Sequence, residues 1–215
     1  MLKRFFLALT LFALAFSAYG QGKAPKAGSQ YLTLNPPQNT ETGNKIEVLE
    51  FFWYRCPHCY SLEPPLEAWV KKLPPDAQFR RLPAVFNDEW AIDARIFYAL
   101  EALGEVDRLH RPLFDAIHRQ GGVKQKGQAY LKWVQDWLGK QKVDLAKFDA
   151  ALRSFAVNSK LKRSFELARA YKLDGVPAIA VNGRYLVSAS MVPDQSTMLS
   201  VTEYLIGQSR ASAKK

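Results

Sequence analysis

The sequence predicts an α/β fold, because strand-like segments flank a long helical stretch. The run Ile46 to Tyr54 is apolar and aromatic apart from two glutamates, which is typical of a strand buried on both faces. From Asp88 to Leu173, apolar residues recur at helical spacing. Strand-like runs return after Gly175 and flank Asn182-Gly183, a strong hairpin signal. A chain of 215 residues, 48% of them apolar, suits one well-cored domain with an insertion rather than two large domains.

The other elements are predicted in chain order. Tyr31 to Leu34 forms a short edge strand, and Gln78 to Phe86 a second longer strand. Between the two longer strands lies a helix, which Pro64-Pro65 should break or kink in its first turns. Pro193-Asp194 opens a terminal helix. The apolar face of the first helix consists of Leu66, Trp69, Val70 and Leu73.

The helical stretch carries four apolar stripes, which we interpret as core-facing positions. Glycines at 104, 121, 122 and 139 separate the helices. The stripes are Ile92, Ile96, Ala99 and Leu103; Tyr130, Trp133, Val134, Trp137 and Leu138; Leu145, Phe148, Leu152 and Phe155; and Leu161, Phe165 and Ala168.

The first twenty residues have the layout of a secretory signal peptide. Lys3 and Arg4 precede an apolar run of 12 residues, Phe5 to Phe16, and small residues follow. A membrane anchor is the alternative, but a spanning helix needs roughly 20 apolar residues. We expect cleavage after Gly20 and export to an oxidising compartment, in the simplest case a bacterial periplasm. Gln21 to Gln30 is predicted to be a flexible N-terminal arm.

The net charge is +10, or +8 without the two basic residues of the signal peptide. Such a balance raises the question of nucleic acid. The lysines and arginines are spread along the chain and no nucleic-acid-binding motif accompanies them. We therefore expect no nucleic-acid partner and interpret the charge as a solvated basic surface, which favours acidic partners or anionic lipid surfaces.

The chain has two cysteines, Cys56 and Cys59, and they follow the first long strand directly. A disulfide that closes so short a loop adds little stability, so the pair is expected to serve chemistry. At a helix N-terminus, unpaired N–H groups and the helix dipole favour a thiolate at Cys56. Only the thiolate attacks or leaves in disulfide exchange. Pro57 and His58 lie between the cysteines, where His58 can stabilise that thiolate and make the disulfide more oxidising.

Metal binding and haem attachment are competing interpretations. Zinc requires four ligands, and only His58, His110 and His118 are available to join the cysteines. His110 and His118 are eight residues apart and are interpreted as surface or packing residues. Covalent haem attachment needs a histidine directly after the second cysteine, where Tyr60 stands. We expect no metal site, and a periplasmic copper(I) carrier stays open as the alternative from a different functional class.

Four segments of the chain form a recognisable set, two at the first strand and the cysteine pair, and two at the later proline and hairpin. They are Val48-Leu49-Glu50-Phe51-Phe52, Cys56-Pro57-His58-Cys59-Tyr60, Gly175-Val176-Pro177-Ala178 and Val181-Asn182-Gly183-Arg184-Tyr185. Together they resemble the thioredoxin-fold disulfide oxidases of the periplasmic DsbA family, and the resemblance covers nearly all of the chain after residue 20.

The resemblance implies a thioredoxin-like domain, residues 31–87 and 174–210, with an inserted helical domain, residues 88–173. It implies an enzyme that donates its disulfide to newly exported proteins with free thiols and is reoxidised by a membrane quinone-linked partner of the DsbB type. No bound cofactor is expected beyond the redox-active disulfide, and the protein is expected to be a monomer. A reductase or isomerase of the same fold is the alternative within the class.

The resemblance also implies roles for individual residues. Cys56 would be the exposed nucleophile that forms the mixed disulfide, and Cys59 its buried partner. His58 would tune Cys56. Val176 and Pro177 would be joined by a cis peptide bond beside the disulfide, with the backbone of Val176 offered to an extended substrate chain.

Glu50 would be a buried acid that acts in proton transfer, and a buried glutamate needs a partner. In the family a lysine on the next strand provides it. Aligned through Val85, that lysine is replaced here by Leu82. Arg80 or Arg81 is therefore expected to take its place.

Overall fold

The computed structural model describes residues 24–212. The predicted signal peptide with its cleavage site after Gly20, and the start of the predicted arm, lie outside the described residues. Of that arm, residues 24–30 are described, and they close a turn in which the Gly28 N–H donates to the Tyr31 carbonyl at 2.8 Å. No helix among the described residues has the length and apolarity to cross a membrane.

The described residues form a five-stranded mixed sheet in the order β1-β5-β4-β2-β3. β2 pairs in parallel with β3 and antiparallel with β4, and β5 joins β4 to the edge strand β1. The strands are β1 Leu32–Thr33, β2 Ile46–Phe52, β3 Ala77–Pro83, β4 Ala178–Val181 and β5 Tyr185–Ser188. The predicted edge strand and hairpin are confirmed.

Helices cover both faces of this sheet, and five of them lie between β3 and β4 in the chain. The helices are α1 Pro57–Val70, α2 Asp88–Ala102, α3 Val106–Arg119, α4 Gly127–Lys140, α5 Leu145–Arg153, α6 Phe155–Ala170 and α7 Gln195–Ser212. Single 3₁₀ turns occur at Gly122–Lys124 and Ala189–Met191. The predicted α/β class is confirmed.

Strand β2 is buried along its whole length because its two faces pack against different helices. Val48 joins a core with residues of α1 and α7, whereas Leu49 and Phe51 join a core with residues of α6. At the end of the strand, Phe52 enters a third core formed with α2 to α5. Because all three cores hold this strand, the position of the residue that follows it is fixed.

Pro64-Pro65 do not break α1, which runs without interruption from Pro57 to Val70. Both prolines face solvent, so water can satisfy the carbonyls that lose a helical donor. The helix nevertheless ends earlier than the apolar pattern predicts, and Leu73 lies beyond it.

Two residues of the predicted core stripes are exposed. Phe155 is 87% exposed and Phe165 is 43% exposed, whereas Phe148 is fully buried. Helix α5 ends before Ser154, which is the N-cap of α6: its side chain accepts a hydrogen bond from the Val157 N–H. Helical spacing counted across this break does not keep the same face, which is why the assignment of Phe155 to the core was wrong. Phe165 lies on the solvent side of α6 and its core assignment was also wrong.

The exposure of Phe155 predicts a small effect of its removal on stability. Phe155→Ala should change the free energy of unfolding by no more than about 0.5 kcal/mol, the usual range for surface substitutions. The matched variant Phe148→Ala, on the preceding helix, should cost about 3–5 kcal/mol because it opens a cavity in the core. Denaturant unfolding followed by circular dichroism measures both. A comparable loss for the two variants would show that Phe155 is covered in solution.

Candidate active site

The cysteine pair lies at the junction of β2 and α1. A tight turn follows the strand, in which the Cys56 N–H donates to the Trp53 carbonyl at 3.0 Å. Cys56 is the N-cap of α1, with extended backbone angles, and its Sγ accepts from the Cys59 N–H at 3.3 Å. Pro57 occupies the first helical turn, where its missing N–H costs nothing. The predicted position of Cys56 at a helix N-terminus is therefore what the structure shows.

The pKa values of the two thiols are shifted in opposite directions. The pKa of Cys56 is lowered to about 6, chiefly by the hydrogen bond from the Cys59 side chain. Burial opposes this shift, while the backbone N–H groups of Cys59 and His58 and the charge of His58 reinforce it. The pKa of Cys59 is raised well above its ordinary value, first by burial and then by Cys56. In this reduced form the negative charge therefore resides on Cys56.

Cys56 was expected to be an exposed nucleophile, but only 6% of the residue is exposed. Cys56 Sγ lies 3.5 Å from the carbonyl oxygen of Val176, so the Val176 loop covers the sulfur. Cys59 is fully buried, as expected, while Pro57 and His58 are exposed.

The loop before β4 lies beside the cysteine pair. β4 pairs with β2, Ala178 opposite Phe51, which brings the preceding residues to the same end of the sheet as Cys56. The Val176–Pro177 peptide bond is cis. Together with His58, these two residues border a cavity of about 420 Å³, which also extends to α7. The structure thus brings together the four predicted groups at this surface: Cys56, His58, Val176 and Pro177.

Arg81 takes the place of the lysine that the sequence lacks. Glu50 is fully buried on β2, and the parallel register places Arg81 of β3 opposite it. Arg81 Nε lies 3.3 Å from Glu50 Oε2. Leu82 points into the core at 4% exposure, and Arg80 instead donates to Glu47 at 2.8 Å. Adjacent strand residues point to opposite faces, so only one of the two arginines can reach Glu50.

A second buried carboxylate, Glu63, competes for the same cation. Arg81 donates to Glu63 Oε2 at 3.1 Å, and His110 Nε2 lies 3.1 Å from Glu63 Oε1. Burial raises the pKa of Glu63, but His110 and Arg81 outweigh burial and leave it lowered. Burial and then the charge of Glu63 raise the pKa of Glu50 well above its ordinary value. Neither oxygen of Glu50 accepts a hydrogen bond from the described residues, which also favours the neutral acid.

Sequence reasoning missed Glu63 and the hydrogen bonds of the two histidines, although His110 is a packing residue as predicted. His110 is buried and connects Glu63 to the hydroxyl of Tyr54, which lies 3.0 Å from Nδ1. His118 Nε2 lies 2.8 Å from the Tyr54 carbonyl, and its ring stacks on Tyr60. A charged residue between the apolar positions of α1 was the available signal for Glu63. Within residues 24–212, no group of three or more His, Cys, Asp or Glu is placed to hold a metal ion.

Comparisons with known proteins agree with this site. Residues 81–205 match the family model described as DSBA-like thioredoxin domain. The chain is 36% identical to the thiol:disulfide interchange protein DsbA of Pseudomonas aeruginosa over 97% of both chains. It is 41% identical to that of Bordetella parapertussis over 94% of this chain and 92% of the relative.

Solved structures show the same similarity. The crystal structure of Pseudomonas aeruginosa DsbA superposes with a TM-score of 0.81 at 38% identity, over 89% of this chain and 97% of that one. The oxidoreductase DsbA from Xylella fastidiosa gives 0.79 at 31% identity, over 87% and 98%. The family model begins after the cysteine pair, but the relatives match the chain across it. The chain therefore belongs to the DsbA family and is a thiol–disulfide oxidoreductase with a thioredoxin fold.

Proposed function

We propose that this oxidoreductase is a dithiol oxidase, which donates a Cys56–Cys59 disulfide to newly exported proteins with free thiols. The observation that carries the proposal is the unequal acidity of the two thiols, with the pKa of Cys56 lowered to about 6 and that of Cys59 raised. A stabilised Cys56 thiolate favours the reduced enzyme and so makes its disulfide a stronger oxidant. It also makes Cys56 the better leaving group from a mixed disulfide.

The reaction consists of two exchanges at sulfur. A substrate thiolate attacks Cys56 Sγ, the Cys56–Cys59 bond breaks, and Cys59 leaves as a thiolate that takes up a proton. A second thiolate of the substrate then attacks the substrate sulfur of the mixed disulfide and expels Cys56 as a thiolate. Two electrons pass to the enzyme, and a membrane quinone-linked reoxidase of the DsbB type removes them. The enzyme uses this disulfide and no bound cofactor or metal.

Substrate binding is assigned to the loop that faces Cys56. The Val176 carbonyl lies 3.5 Å from Cys56 Sγ, and no hydrogen bond among residues 24–212 uses the Val176 N–H. An extended chain that reaches Cys56 can therefore pair with this backbone as a short added strand. Because such pairing involves backbone atoms, it suits an enzyme that acts on many substrates. The enzyme is assigned as a monomer. The predicted signal peptide assigns this activity to the periplasm.

Glu50 is assigned the role of proton donor to the Cys59 thiolate. A charge on Glu50 raises the pKa of Cys59, so proton loss from one of the two groups disfavours proton loss from the other. Burial and the charge of Glu63 raise the pKa of Glu50 well above its ordinary value, which favours the neutral acid. A buried neutral acid beside a leaving thiolate can act as a general acid.

A titration of the reduced protein tests the oxidase assignment. One thiol should ionise with a pKa of about 6, because the Cys59 thiol and the α1 N–H groups stabilise the Cys56 thiolate. Thiolate absorbance against pH measures it, and Cys59→Ser identifies the titrating group. His58→Ser should raise the value, since it removes the charge and keeps the backbone N–H. A pKa near that of free cysteine, ~8.5, would contradict the oxidase assignment and favour a reductase.

The lowered pKa also predicts how stability depends on pH. Between the folded pKa of about 6 and the unfolded value of ~8.5, the reduced unfolded chain binds one proton more than the folded chain. The stability of the reduced protein relative to the oxidised protein should therefore rise by about 1.4 kcal/mol per pH unit in this window. The advantage is lost as the pH falls through 6.

Denaturant unfolding of both forms at several pH values measures this difference in stability. The contributions of other titrating groups are common to the two forms and cancel. Cys59 keeps its proton in the folded state across the window because its pKa is raised. The reduced Cys56→Ser variant should lack the slope. A pH-independent difference between the two forms would mean that Cys56 is not ionised in the folded protein.

The role of Glu50 predicts a kinetic effect. Glu50→Gln keeps the size of the side chain and removes the exchangeable proton, so reduction of the oxidised enzyme by a thiol peptide should slow by at least about tenfold. Stopped-flow tryptophan fluorescence measures the rate. The matched control is Glu47→Gln, on the same buried strand but paired with Arg80. Equal rates for Glu50→Gln and the wild type would remove Glu50 from the reaction.

A further inference from the structure

The turn that carries Cys56 is fastened to the helices by side chains that play no part in the exchange. Arg55 directly precedes Cys56, and Trp53 begins the turn. Both side chains reach one buried carboxylate, Asp93 of α2, which is 1% exposed. Trp53 Nε1 donates to Asp93 Oδ2 at 2.6 Å and Arg55 Nε donates to the same oxygen at 3.0 Å. The other oxygen accepts from the hydroxyl of Tyr130 on α4.

The Arg55 side chain contacts aromatic rings, carboxylates and a backbone carbonyl. Its guanidinium lies between two aromatic rings, 5.0 Å from the centroid of Trp53 and 4.6 Å from that of Tyr130. Its terminal nitrogens donate to Glu89, at 3.0 Å to the carbonyl and at 3.3 Å to the carboxylate. The side chain is only 6% exposed. We refer to Arg55, Asp93, Glu89, Trp53 and Tyr130 as the arginine clamp.

Asp93 remains a carboxylate at the pH of exchange. Burial raises its pKa, but Arg55 and the donors of Tyr130 and Trp53 limit the value to about 6. The clamp thus contains a buried ion pair above this pH. Breaking such a pair by removing one partner is costly because the other charge stays buried.

We propose that Arg55 is a positioning residue for Cys56, which acts through the clamp to hold the Cys56 turn against the N-terminus of α1. The contacts that stabilise the thiolate depend on the position of the sulfur, such as the 3.3 Å hydrogen bond from the Cys59 N–H. A small displacement of the turn therefore weakens them. The clamp connects the turn to α2 and α4, so the helical block, α2 to α6, takes part in setting the oxidising power. This inference rests on the proposed oxidase function.

Replacement of Arg55 tests the proposal. In Arg55→Ala the thiolate pKa of Cys56 should rise by at least about one unit, and the disulfide should become at least about tenfold less oxidising toward glutathione. Arg55→Lys keeps the charge and should recover part of both values. The matched control is Arg80→Ala, which also breaks an ion pair with a buried carboxylate, that of Glu47 on β2. Arg80→Ala should lose stability with no change at Cys56.

Asp93→Asn separates positioning from a direct effect of charge. The substitution removes a negative charge and leaves the Arg55 cation, so a purely electrostatic role would lower the pKa of Cys56. The proposal expects a rise, because the turn loses its anchor. A fall in Asp93→Asn, or an Arg55→Ala protein that is less stable but has wild-type acidity and glutathione equilibrium, overturns the proposal.

Tyr130→Phe keeps the test decisive if Arg55→Ala does not fold. It removes one hydrogen bond to Asp93 and retains the ring over Arg55, and the glutathione equilibrium should shift about threefold toward a weaker oxidant. An unchanged equilibrium in this variant counts against the clamp. A wild-type pKa near 8.5 would instead contradict the oxidase function itself, so the two failures are distinguishable.

Discussion

Strand β2 is buried on both faces along its whole length, and this burial fixes where the chain delivers Cys56. The strand contributes side chains to all three cores, and it pairs with a neighbour on each side. A strand held in this way cannot shift its register without exposing apolar side chains. The first turn of α1 therefore begins at a fixed point, and the Cys56 sulfur meets the N–H groups of that turn.

The same burial determines the acidity of the site. One cation, Arg81, lies between two buried carboxyl groups, Glu50 and Glu63. His110 adds a hydrogen bond to Glu63 alone, which helps to lower the pKa of Glu63, whereas the pKa of Glu50 is raised well above its ordinary value. A burial cost that is compensated for only one of two similar groups gives them different chemical roles. The two cysteines follow the same principle. N–H donors help to lower the pKa of Cys56, whereas complete burial raises the pKa of Cys59.

The helical block does more than cover the sheet. Side chains of α2, α3 and α4 contact the three residues before Cys56. Asp93 accepts hydrogen bonds from Trp53 and Arg55, the Tyr130 ring packs on Arg55, and His110 and His118 lie within hydrogen-bond distance of Tyr54. These are polar contacts within a largely apolar core, and buried polar groups are stable there only when their partners are in place. The position of the active-site turn thus depends on contacts with α2, α3 and α4.

Local patterns in the sequence were sufficient for much of the fold and for the centre of the site. The apolar run of β2, the Asn182-Gly183 turn and the position of Cys56 at a helix N-terminus each follow from residues close in sequence, where backbone preferences and spacing decide the outcome. The family resemblance added the cis bond before Pro177, which local propensity does not favour.

Only the tertiary structure decided which distant side chains meet. It selected Arg81 over Arg80 as the partner of Glu50, because the pairing register of β2 and β3 determines which arginine faces that carboxyl. It brought Glu63 and His110 into the network and showed Phe155 in solvent. A sequence pattern gives the periodicity of one element, whereas a buried ion pair depends on the relative placement of several. That placement is set by the packing of the whole core, and so it is not contained in any local stretch of the chain.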